Sequence, residues 1–485
     1  MSPRNALKHF YHLLYRLFLA KLPEATQRSL IGGLLVVAQR IHPSGRWPTS
    51  PDVLLDRRRV LAPSKNMRTL PDWAVEDLQD LALRVDPLLN RESVLAQQPN
   101  AFMTPVHWTG PGQAYERIRR RIGNRRFDTI VLVPWLKRGG ADLGALHHAK
   151  ACVEAFGQRT LVIATEDGDS PWANRLDEAT PFIDIGAELL PLSVTHGEHE
   201  IVLARLLLQL APTRVHIINS RTAWRVVERY GKAIRQKTRI FASLYCDEFS
   251  ADGRREGLAQ QYLPTCWRWL DAVISDNSAS PAEWQATIGV DPALFKVVHF
   301  PAPAASTAAI YKDHLGSQPR LLWASRLERQ KRPDLLVALV SALPEFHWDI
   351  HGAALTKDDP YLAELRTSSN VSLHGSYEDF ASIVRPDHLA YIYTSSWDGL
   401  PNVLLEAASA GVPVVAPDIG GIRDLVPRQQ LVPAGADVDD YAAAIRGLNQ
   451  PGKRDAWQTA QHDNLREFTW ERFISMLRNI PGYAS

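Results

Sequence analysis

Cysteine is scarce in this sequence of 485 residues. The three cysteines, Cys152, Cys246 and Cys266, lie far apart, and none has a partner at close spacing. Disulfide frameworks and structural zinc sites both need cysteines at short, regular spacings. The sequence therefore predicts neither, and it fits a reducing compartment such as the cytoplasm.

A strong charge of either sign is also missing, since 55 Lys and Arg residues against 53 Asp and Glu residues leave a net charge of +2. So small a charge gives no electrostatic reason to expect a nucleic-acid partner. No run reaches the roughly 18 apolar residues of a membrane-spanning helix, so none is predicted. The first residues lack the pattern of a secretory signal peptide, and none is expected.

The N-terminal region differs in composition from the rest. Residues 1–42 are rich in apolar and basic residues, with no acid before Glu24. The stretch HFYHLLYRLFLAKLP at 9–23 suits an amphipathic helix on an anionic membrane surface. The alternative is a helical cap that packs on the next domain. The sequence fits both interpretations equally well. With the mixed residues 43–125 added, the prediction is a mainly helical extension over 1–125.

Buried-strand patterns begin at residue 127. There, FDTIVLVPWL is followed by a glycine-rich loop, KRGGADLG, and by the helical pattern ALHHAKACVEAFG. Four more apolar runs follow, and these are RTLVIAT, TRVHIINS, TRIFASLY and LDAVISDN. Continuous apolar strands are typical of parallel sheets that are covered on both faces. Residues 126–300 therefore predict a doubly wound, Rossmann-like α/β domain.

A second alternating series starts near residue 320. Its strand patterns are RLLWASRL, FHWDIHGA, NVSLHGSY, LAYIYTSS and VPVVAP, and its helical patterns include RPDLLVALVSALP and NVLLEAASAG. They predict a second Rossmann-like domain over 301–468 and a C-terminal helix over 469–485. The Pro-, Ala- and Ser-rich residues 300–319 predict the linker. Two such domains in tandem are expected to bind their ligand in an interdomain cleft.

One carboxylate, Glu406, lies inside the apolar helical pattern that follows Pro401. Gly411 and Pro413 are expected to end this helix. A carboxylate in so apolar a helix needs hydrogen-bond donors. Two interpretations are open: a structural glutamate bonded to a loop amide or to Arg423, or an acceptor for the two neighbouring hydroxyls of a ribose.

Two cations, Arg326 and Lys331, follow the strand pattern RLLWASRL just before a helical pattern. Cations at the carboxyl edge of a parallel sheet, beside a helix N-terminus, suit a diphosphate. Because Arg329 and Arg332 lie in the same stretch, a solvated charge cluster is the alternative.

Together these stretches resemble the retaining, nucleotide-sugar-dependent glycosyltransferases of the GT-B fold, specifically the large family four. SRLERQKRPDLL is similar to that family's strand–Arg–(x4)–Lys phosphate motif. DGLPNVLLEAASAGVPVVAPDIGGIRDLV resembles its signature of two carboxylates eight positions apart, followed by a glycine-rich turn. VPWLKRGGADLGALHHA resembles its N-terminal Gly-Gly loop. The resemblance covers residues 127–475 and implies two Rossmann-like domains with a cleft between them.

By position, the resemblance assigns roles to four side chains. It implies that Arg326 and Lys331 neutralise the leaving nucleoside diphosphate. Asp398 would face the donor sugar, and Glu406 would hold the ribose hydroxyls.

Further donor-binding positions are implied in the glycine motifs, where amides can approach the pyrophosphate or the sugar. They are Gly139, Gly140, Gly399, Leu400, Gly420 and Gly421. The resemblance implies no cofactor and no metal. The acidic stretch EDGD at 166–169 follows a strand and is interpreted as a polar turn.

Four positions depart from the family pattern or stay open. Asp398 stands where the first carboxylate is usually Glu, so its reach toward the sugar is one methylene shorter. Asp424 stands at a later acidic position that is often Glu. His216 lacks the second histidine of a His-x-His pair, which favours a core or rim histidine. Asp247 is either an acceptor-facing carboxylate or a turn carboxylate.

The resemblance implies transfer of a sugar, with retention, from a nucleotide diphosphate-sugar to a glycan or lipid-linked glycan in bacterial surface polysaccharide (O-antigen-like) biosynthesis. The N-terminal extension is loosely similar to leaders of bacterial transferases of this kind. It implies a cytoplasmic protein that is peripheral on the inner face of the membrane. A catalytically inactive GT-B scaffold is the alternative, on account of Asp398 and the missing histidine. A nucleotide-sugar epimerase or a phosphorylase on the same fold is a further one.

Overall fold

The computed structural model describes residues 22–41, 72–89, 110–189, 196–303, 318–353 and 359–485. The chain divides into two compact units, Met1–Ile240 and Phe241–Ser485. Its described strands are β1 (Thr129–Val133), β2 (Thr160–Ala164), β3 (Phe182–Asp184), β4 (Arg214–Ile218), β5 (Arg239–Ser243), β6 (Glu248–Phe249), β7 (Arg255–Glu256), β8 (Ala272–Ser275), β9 (Phe295–Val297), β10 (Arg320–Ala324), β11 (His347–His351), β12 (Val371–Gly375), β13 (His388–Ile392) and β14 (Val414–Val415).

Helices alternate with these strands along most of the chain. They are α1 (Glu24–Ile41), α2 (Asp72–Arg84), α3 (Gly110–Ile122), α4 (Gly140–Lys150), α5 (Ile185–Leu189), α6 (His196–Leu210), α7 (Arg221–Ile234), α8 (Leu258–Cys266), α9 (Ala279–Ile288), α10 (Pro333–Ala342), α11 (Pro360–Thr367), α12 (Asn402–Ser409), α13 (Val438–Leu448), α14 (Lys453–Asn464) and α15 (Trp470–Arg478).

The first sheet has seven strands in the order β3-β2-β1-β4-β5-β8-β9. β1 pairs in parallel with β2 and with β4, and the residues of these three strands are all buried. This burial on both faces explains the continuous apolar runs and confirms the five strands predicted here. β3 and β9 were not predicted, because each has only three residues and cannot show a pattern.

The second sheet has five strands in the order β12-β11-β10-β13-β14, again paired in parallel. Trp323 of β10 and Trp348 of β11 are buried in its core, together with Leu336 and Leu339 of α10. All five predicted strands are present, so the prediction of two doubly wound α/β sheets is confirmed. Since β10 is central and is flanked by β11 and β13, the loops that follow β10 and β13 leave the sheet side by side.

An ion cluster around the buried carboxylate of Asp349 joins four of these strands. Arg320 of β10 donates two hydrogen bonds of 2.6 Å to the carboxylate of Asp349 on β11. The ring nitrogens of His374 and His388 lie 2.7 and 3.0 Å from the same carboxylate. These contacts hold the pKa of Asp349 below its ordinary value despite burial, which favours the protonated form. The cluster therefore fixes the relative positions of the strands that present the site.

The predicted extension over 1–125 contributes three described helices, α1 to α3. Ile31 and Leu35 of α1 are buried, whereas Leu30, Leu34 and Val37 on its other side are exposed. The 9–22 segment that prompted the membrane interpretation lies almost wholly outside the described residues. None of the helices in the described ranges is long and apolar enough to cross a membrane.

The predicted domain boundary at 300 stays a prediction. β9 belongs to the first sheet and β10 to the second, so the chain changes sheets within residues 298–319. Residues 304–317 of the predicted linker lie outside the described ranges. The division into compact units falls earlier, after Ile240.

Candidate functional site

The loop after β10 is tied to the segment that follows β13. Thr394 donates to the carbonyl of Lys331 at 2.6 Å, and the amide of Ser396 donates to the carbonyl of Gln330 at 2.8 Å. The Gln330 side chain in turn donates to the carbonyl of Trp397 at 2.8 Å. These bonds hold the two loops together at the carboxyl edge of the second sheet, where parallel α/β sheets bind their ligands.

Lys331, Tyr393 and Asp398 form a closed hydrogen-bonded triangle in these loops. Lys331 Nζ lies 2.5 Å from Asp398 Oδ2 and 2.8 Å from the Tyr393 hydroxyl. The Tyr393 hydroxyl donates to Asp398 Oδ2 at 2.5 Å, and the amide of Gly399 donates to Asp398 Oδ1 at 3.0 Å. Lys331 and Asp398 are only 13% and 19% exposed, so the pair is largely desolvated. The structure thus brings together two predicted site residues and adds Tyr393, which the sequence did not indicate.

Arg326 and Arg329 of the same loop point to other partners. Arg326 is 67% exposed and pairs with Glu328 at 2.8 Å. Arg329 donates to the carbonyl of Phe249, and its guanidinium lies 4.8 Å from the ring centre of Trp397. The predicted Arg326–Lys331 pair is therefore divided in this state: Lys331 is engaged by a carboxylate, while Arg326 stands at the surface.

Glu406 lies on α12 and is partly exposed, whereas Leu404, Leu405 and Ala407 beside it are buried. As predicted, Gly411 ends this helix, with a φ of +73°. The helix is less completely buried at Glu406 than its apolar sequence indicated. Arg423, the partner of the structural interpretation, pairs instead with Asp418 at 3.0 Å.

Tyr391 of β13 is a buried tyrosine whose hydroxyl bonds the end of β10. Burial raises the pKa of Tyr391 well above its ordinary value, and the charges of Tyr377, Glu406 and Asp398 add to this effect. The Tyr391 hydroxyl donates to the carbonyl of Ala324, the last residue of β10, at 3.0 Å. Glu406 lies on α12, which begins four residues after Asp398, so the loop that presents Asp398 leads directly into the helix that carries Glu406.

The glycines of the signature are required by close packing. A Cβ on Gly420, whose φ is +48°, would lie 1.9 Å from the carbonyl oxygen of Asp398. A Cβ on Gly421 would lie 2.1 Å from Cβ of Asn277, and one on Gly399 would lie 2.7 Å from the carbonyl oxygen of Tyr245. The amide of Gly421 already donates to the carbonyl of Gly399 at 2.9 Å. Their predicted contacts with a donor remain a prediction.

Asp276 is a buried acid that the sequence interpretation missed. It follows β8, and its carboxyl accepts hydrogen bonds from Asn277 Nδ2 at 2.7 Å and from the amide of Leu400. Burial raises its pKa to about 8, against its two hydrogen bonds, and the nearby charge of Asp398 adds to the rise. The signal was present in LDAVISDN, where two polar residues directly follow a buried strand. The Leu400 amide, a predicted donor contact, is thus bound to a protein carboxyl.

Asp424 and Asp247 have structural partners. The carboxylate of Asp424 accepts from the amide and the hydroxyl of Ser278 at 2.7 and 2.5 Å, and it lies 3.1 Å from His299 Nε2. These bonds hold the pKa of Asp424 below its usual value despite burial.

The carboxylate of Asp247 is 5% exposed and accepts three side-chain bonds of 3.0 Å, from Arg255, Gln260 and Trp284. This arrangement is that of a buried turn carboxylate, the second of the two interpretations left open.

His216 lies on β4 and is fully buried, with its ring centre 4.4 Å from that of His148. Burial lowers its pKa to about 3, so the imidazole is neutral. This confirms the interpretation of His216 as a core histidine.

Gly139 is the N-cap of helix α4, and Gly140 is its first residue. The helix therefore begins five residues before the predicted helical pattern. A Cβ on Gly139 would lie 2.7 Å from a carboxylate oxygen of Asp142. The other oxygen accepts from the amide of Lys137 at 3.1 Å. Burial raises the pKa of Asp142 to about 6. The carboxyl group of Asp142 therefore occupies the inside of this glycine loop. The predicted role of Gly139 and Gly140 in binding a donor stays a prediction.

No three His, Cys, Asp or Glu side chains in the described ranges cluster in a way that could hold a metal ion.

Part of the chain matches a known protein family. Residues 318–450 match the family described as Glycosyl transferases group 1. A GDP-mannose-dependent alpha-(1-6)-phosphatidylinositol monomannoside mannosyltransferase of Mycobacterium tuberculosis is 32% identical over 179 residues, covering 33% of this chain and 45% of that protein. The O-antigen biosynthesis glycosyltransferase WbnH of Escherichia coli is 28% identical over 109 residues, covering 22% and 31%. The chain thus spans less than half the length of these curated relatives.

Solved structures share the fold over a larger part of the chain. HepE of Anabaena, in complex with UDP and glucose, has a TM-score of 0.58 at 19% sequence identity, covering 73% of this chain and 98% of that one. The lipopolysaccharide outer core galactosyltransferase WaaB, in its apo form, has a TM-score of 0.56 at 17% identity with the same coverage. At such identities the likeness shows the fold alone, and that fold is GT-B, with two Rossmann-like domains.

Proposed function

We propose that the protein is a glycosyltransferase that moves a sugar from a nucleoside diphosphate-sugar to a hydroxyl of a glycan or lipid-linked glycan. The observation that carries this proposal is the placement of Lys331 beside Asp398 at the carboxyl edge of the second sheet, inside the segment that matches group 1 glycosyltransferases. Such a donor needs a cation for its diphosphate and a hydrogen-bond acceptor for its sugar hydroxyls, side by side. Glu406 supplies a second acceptor for the ribose.

The proposed chemistry is electrostatic. Breaking the bond between the anomeric carbon and the diphosphate oxygen leaves positive character on the sugar and negative charge on the diphosphate. Lys331 and Arg326 stabilise that negative charge, and preorganised groups of this kind usually make the largest single contribution to catalysis. We infer retention from the family resemblance: the acceptor oxygen attacks from the side of the leaving group, and its proton passes to a phosphate oxygen.

The acceptor class is proposed from the relatives. One is named for a phosphatidylinositol mannoside and one for O-antigen biosynthesis. Both names refer to surface glycans or glycolipids, which supports a role in surface polysaccharide assembly. The exposed apolar side of α1 and the basic residues before it support contact with an anionic membrane surface on the cytoplasmic side.

The experiment is a panel of UDP-, GDP- and dTDP-sugars tested on the wild type and on Glu406→Ala. Saturation-transfer NMR reports binding, and released nucleoside diphosphate reports turnover. The proposal expects one donor to bind and to be slowly hydrolysed, with both signals weakened in Glu406→Ala. A folded wild type that binds none of these donors would overturn the proposal and favour a non-catalytic scaffold.

A further inference from the structure

We propose that Lys331 and Asp398 form an exchange pair held by the Tyr393 hydroxyl, in which the diphosphate of a donor takes Lys331 from Asp398 and leaves that carboxylate to bind the sugar. Tyr393 is a positioning residue in this scheme. The proposal rests on the proposed function and adds to it a device that couples recognition of the sugar to recognition of the diphosphate.

Lys331 and Asp398 already satisfy each other's charge in the absence of a ligand. Lys331 Nζ contacts Asp398 Oδ2 at 2.5 Å, and neither side chain is more than 19% exposed. The negative charge of Asp398 offsets the attraction that the Lys331 ammonium group would exert on a diphosphate. A diphosphate can therefore bind Lys331 fully only by competing with Asp398.

Asp398 loses its cation when a diphosphate takes Lys331. When one partner leaves a desolvated ion pair, the remaining charge becomes costly unless new donors reach it. A nucleoside diphosphate alone has no sugar whose hydroxyls could reach Asp398, so it leaves that carboxylate short of a donor. A nucleoside diphosphate-sugar brings hydroxyl donors together with its phosphates, so both halves of the pair find new partners. The exchange therefore favours the intact donor over the free nucleoside diphosphate.

Tyr393 lies between the two members of the pair. Its hydroxyl accepts from Lys331 at 2.8 Å and donates to Asp398 at 2.5 Å, so it touches both members of the pair. Its backbone is fixed on both sides, because its amide donates to the carbonyl of Val415 at 2.9 Å and its carbonyl accepts from Tyr441 at 2.9 Å. Burial raises the pKa of Tyr393 well above its ordinary value, so the phenol keeps its proton. The neutral hydroxyl therefore stabilises the Lys331–Asp398 pair in the absence of a donor, and a diphosphate that takes Lys331 must also replace the bond between Lys331 and Tyr393.

The test compares the affinity for a nucleoside diphosphate with that for the corresponding nucleoside diphosphate-sugar. UDP with UDP-glucose and GDP with GDP-mannose are titrated by calorimetry into the wild type, and the pair that binds is used for the variants. In Asp398→Asn the competitor for Lys331 loses its charge. The free diphosphate should then bind about fivefold tighter or more, and its disadvantage against the sugar form should shrink by at least the same factor.

Tyr393→Phe removes the hydroxyl and keeps the ring. It should move both quantities in the same direction by a smaller factor, about two- to threefold, because one of the bonds that hold the pair is lost. Tyr391→Phe is the matched control, since it removes a neighbouring buried hydroxyl that donates to Ala324. Its hydroxyl bonds Ala324, whereas the hydroxyl of Tyr393 bonds Lys331 and Asp398. Any effect through Glu406 acts on the ribose of both ligands, so the ratio of the two affinities should stay unchanged.

Three results decide the proposal. Tighter diphosphate binding in Asp398→Asn and Tyr393→Phe, with an unchanged ratio in Tyr391→Phe, supports the exchange. Unchanged or weaker diphosphate binding in both variants, with wild-type circular dichroism, overturns it while leaving the proposed function standing. A folded wild type that binds neither ligand overturns both.

Discussion

The amide of Leu400 donates a hydrogen bond to the buried carboxyl of Asp276, two residues after Asp398 in the same turn. A largely buried acid therefore supports the turn that presents the sugar-facing carboxylate. Because burial and the charge of Asp398 both oppose its ionisation, Asp276 keeps its proton in the folded protein at neutral pH. An acid that loses its proton more readily in the unfolded chain must make stability depend on pH.

Asp276→Asn should remove that dependence. The pKa of Asp276 is raised from 3.8 to about 8 on folding, so the folded state binds the extra proton between these values, and wild-type stability falls as the pH rises through this window. Asn keeps the acceptor for Leu400 and Asn277 but does not titrate. The difference in melting temperature, variant minus wild type, should grow from pH 5 to pH 8 and then level off. A difference that is the same at every pH would contradict this account.

Glu406→Gln should weaken donor binding more than it weakens folding. A carboxylate that accepts two ribose hydroxyls contributes about 1.5–3 kcal/mol through hydrogen bonds to a charged group. We therefore expect kcat/KM to fall about tenfold to a hundredfold, measured as released nucleoside diphosphate. Glu364→Gln, on the exposed side of α11, is the matched control and should leave kcat/KM unchanged. An equal loss of kcat/KM in Glu406→Gln and Glu364→Gln would contradict the proposed role of Glu406 in binding the ribose.

Arg326 and Lys331 should differ when each is replaced by Met. Removing a preorganised cation from a developing diphosphate costs about a hundredfold in turnover, and we expect a loss of that order in both variants. Only Lys331→Met should also lower the melting temperature, because it leaves Asp398 largely buried without its cation. Arg326 is 67% exposed, so its replacement should leave the melting temperature unchanged. Full turnover in Arg326→Met would assign the diphosphate to Lys331 alone.

Local patterns predicted the elements of the fold but not the contacts of the site. The buried run of β1 needs no knowledge of the rest of the chain, because both faces of the strand are covered. Lys331 and Asp398 are separated by β11, β12 and β13 along the chain, and they meet only because β13 returns beside β10. Their separate roles followed from a resemblance, whereas their pairing depends on strand order. Tyr393 was missed because an aromatic residue in an apolar strand pattern gives no sign that its hydroxyl bonds a charge.

The glycine-rich turn offers a test of packing. In Gly421→Ala the new methyl group would lie 2.1 Å from Cβ of Asn277, so the turn or its neighbour must shift, at a cost of about 1–3 kcal/mol. Gly447 on α13 has no atom within 4 Å of the corresponding position, so Gly447→Ala should stabilise the helix by about 0.5–1 kcal/mol. Thermal unfolding should therefore shift in opposite directions for the two variants. A downward shift of equal size in both variants would contradict this account, because the added methyl group would then cost no more in the turn than on the helix.

The apolar side of α1 is testable in the full-length chain. Leu34 and Val37 are 38% and 52% exposed, and replacing both with Glu adds negative charge to the surface proposed to face anionic lipid. The wild type should float with vesicles that contain anionic lipid and should stay behind with neutral vesicles. The double variant should lose flotation while keeping its circular dichroism spectrum. Leu83→Glu on α2, at a leucine that is 43% exposed, controls for added charge and should still float. Wild-type protein that fails to float with anionic vesicles would return α1 to the other interpretation of the extension, a cap packed on the fold.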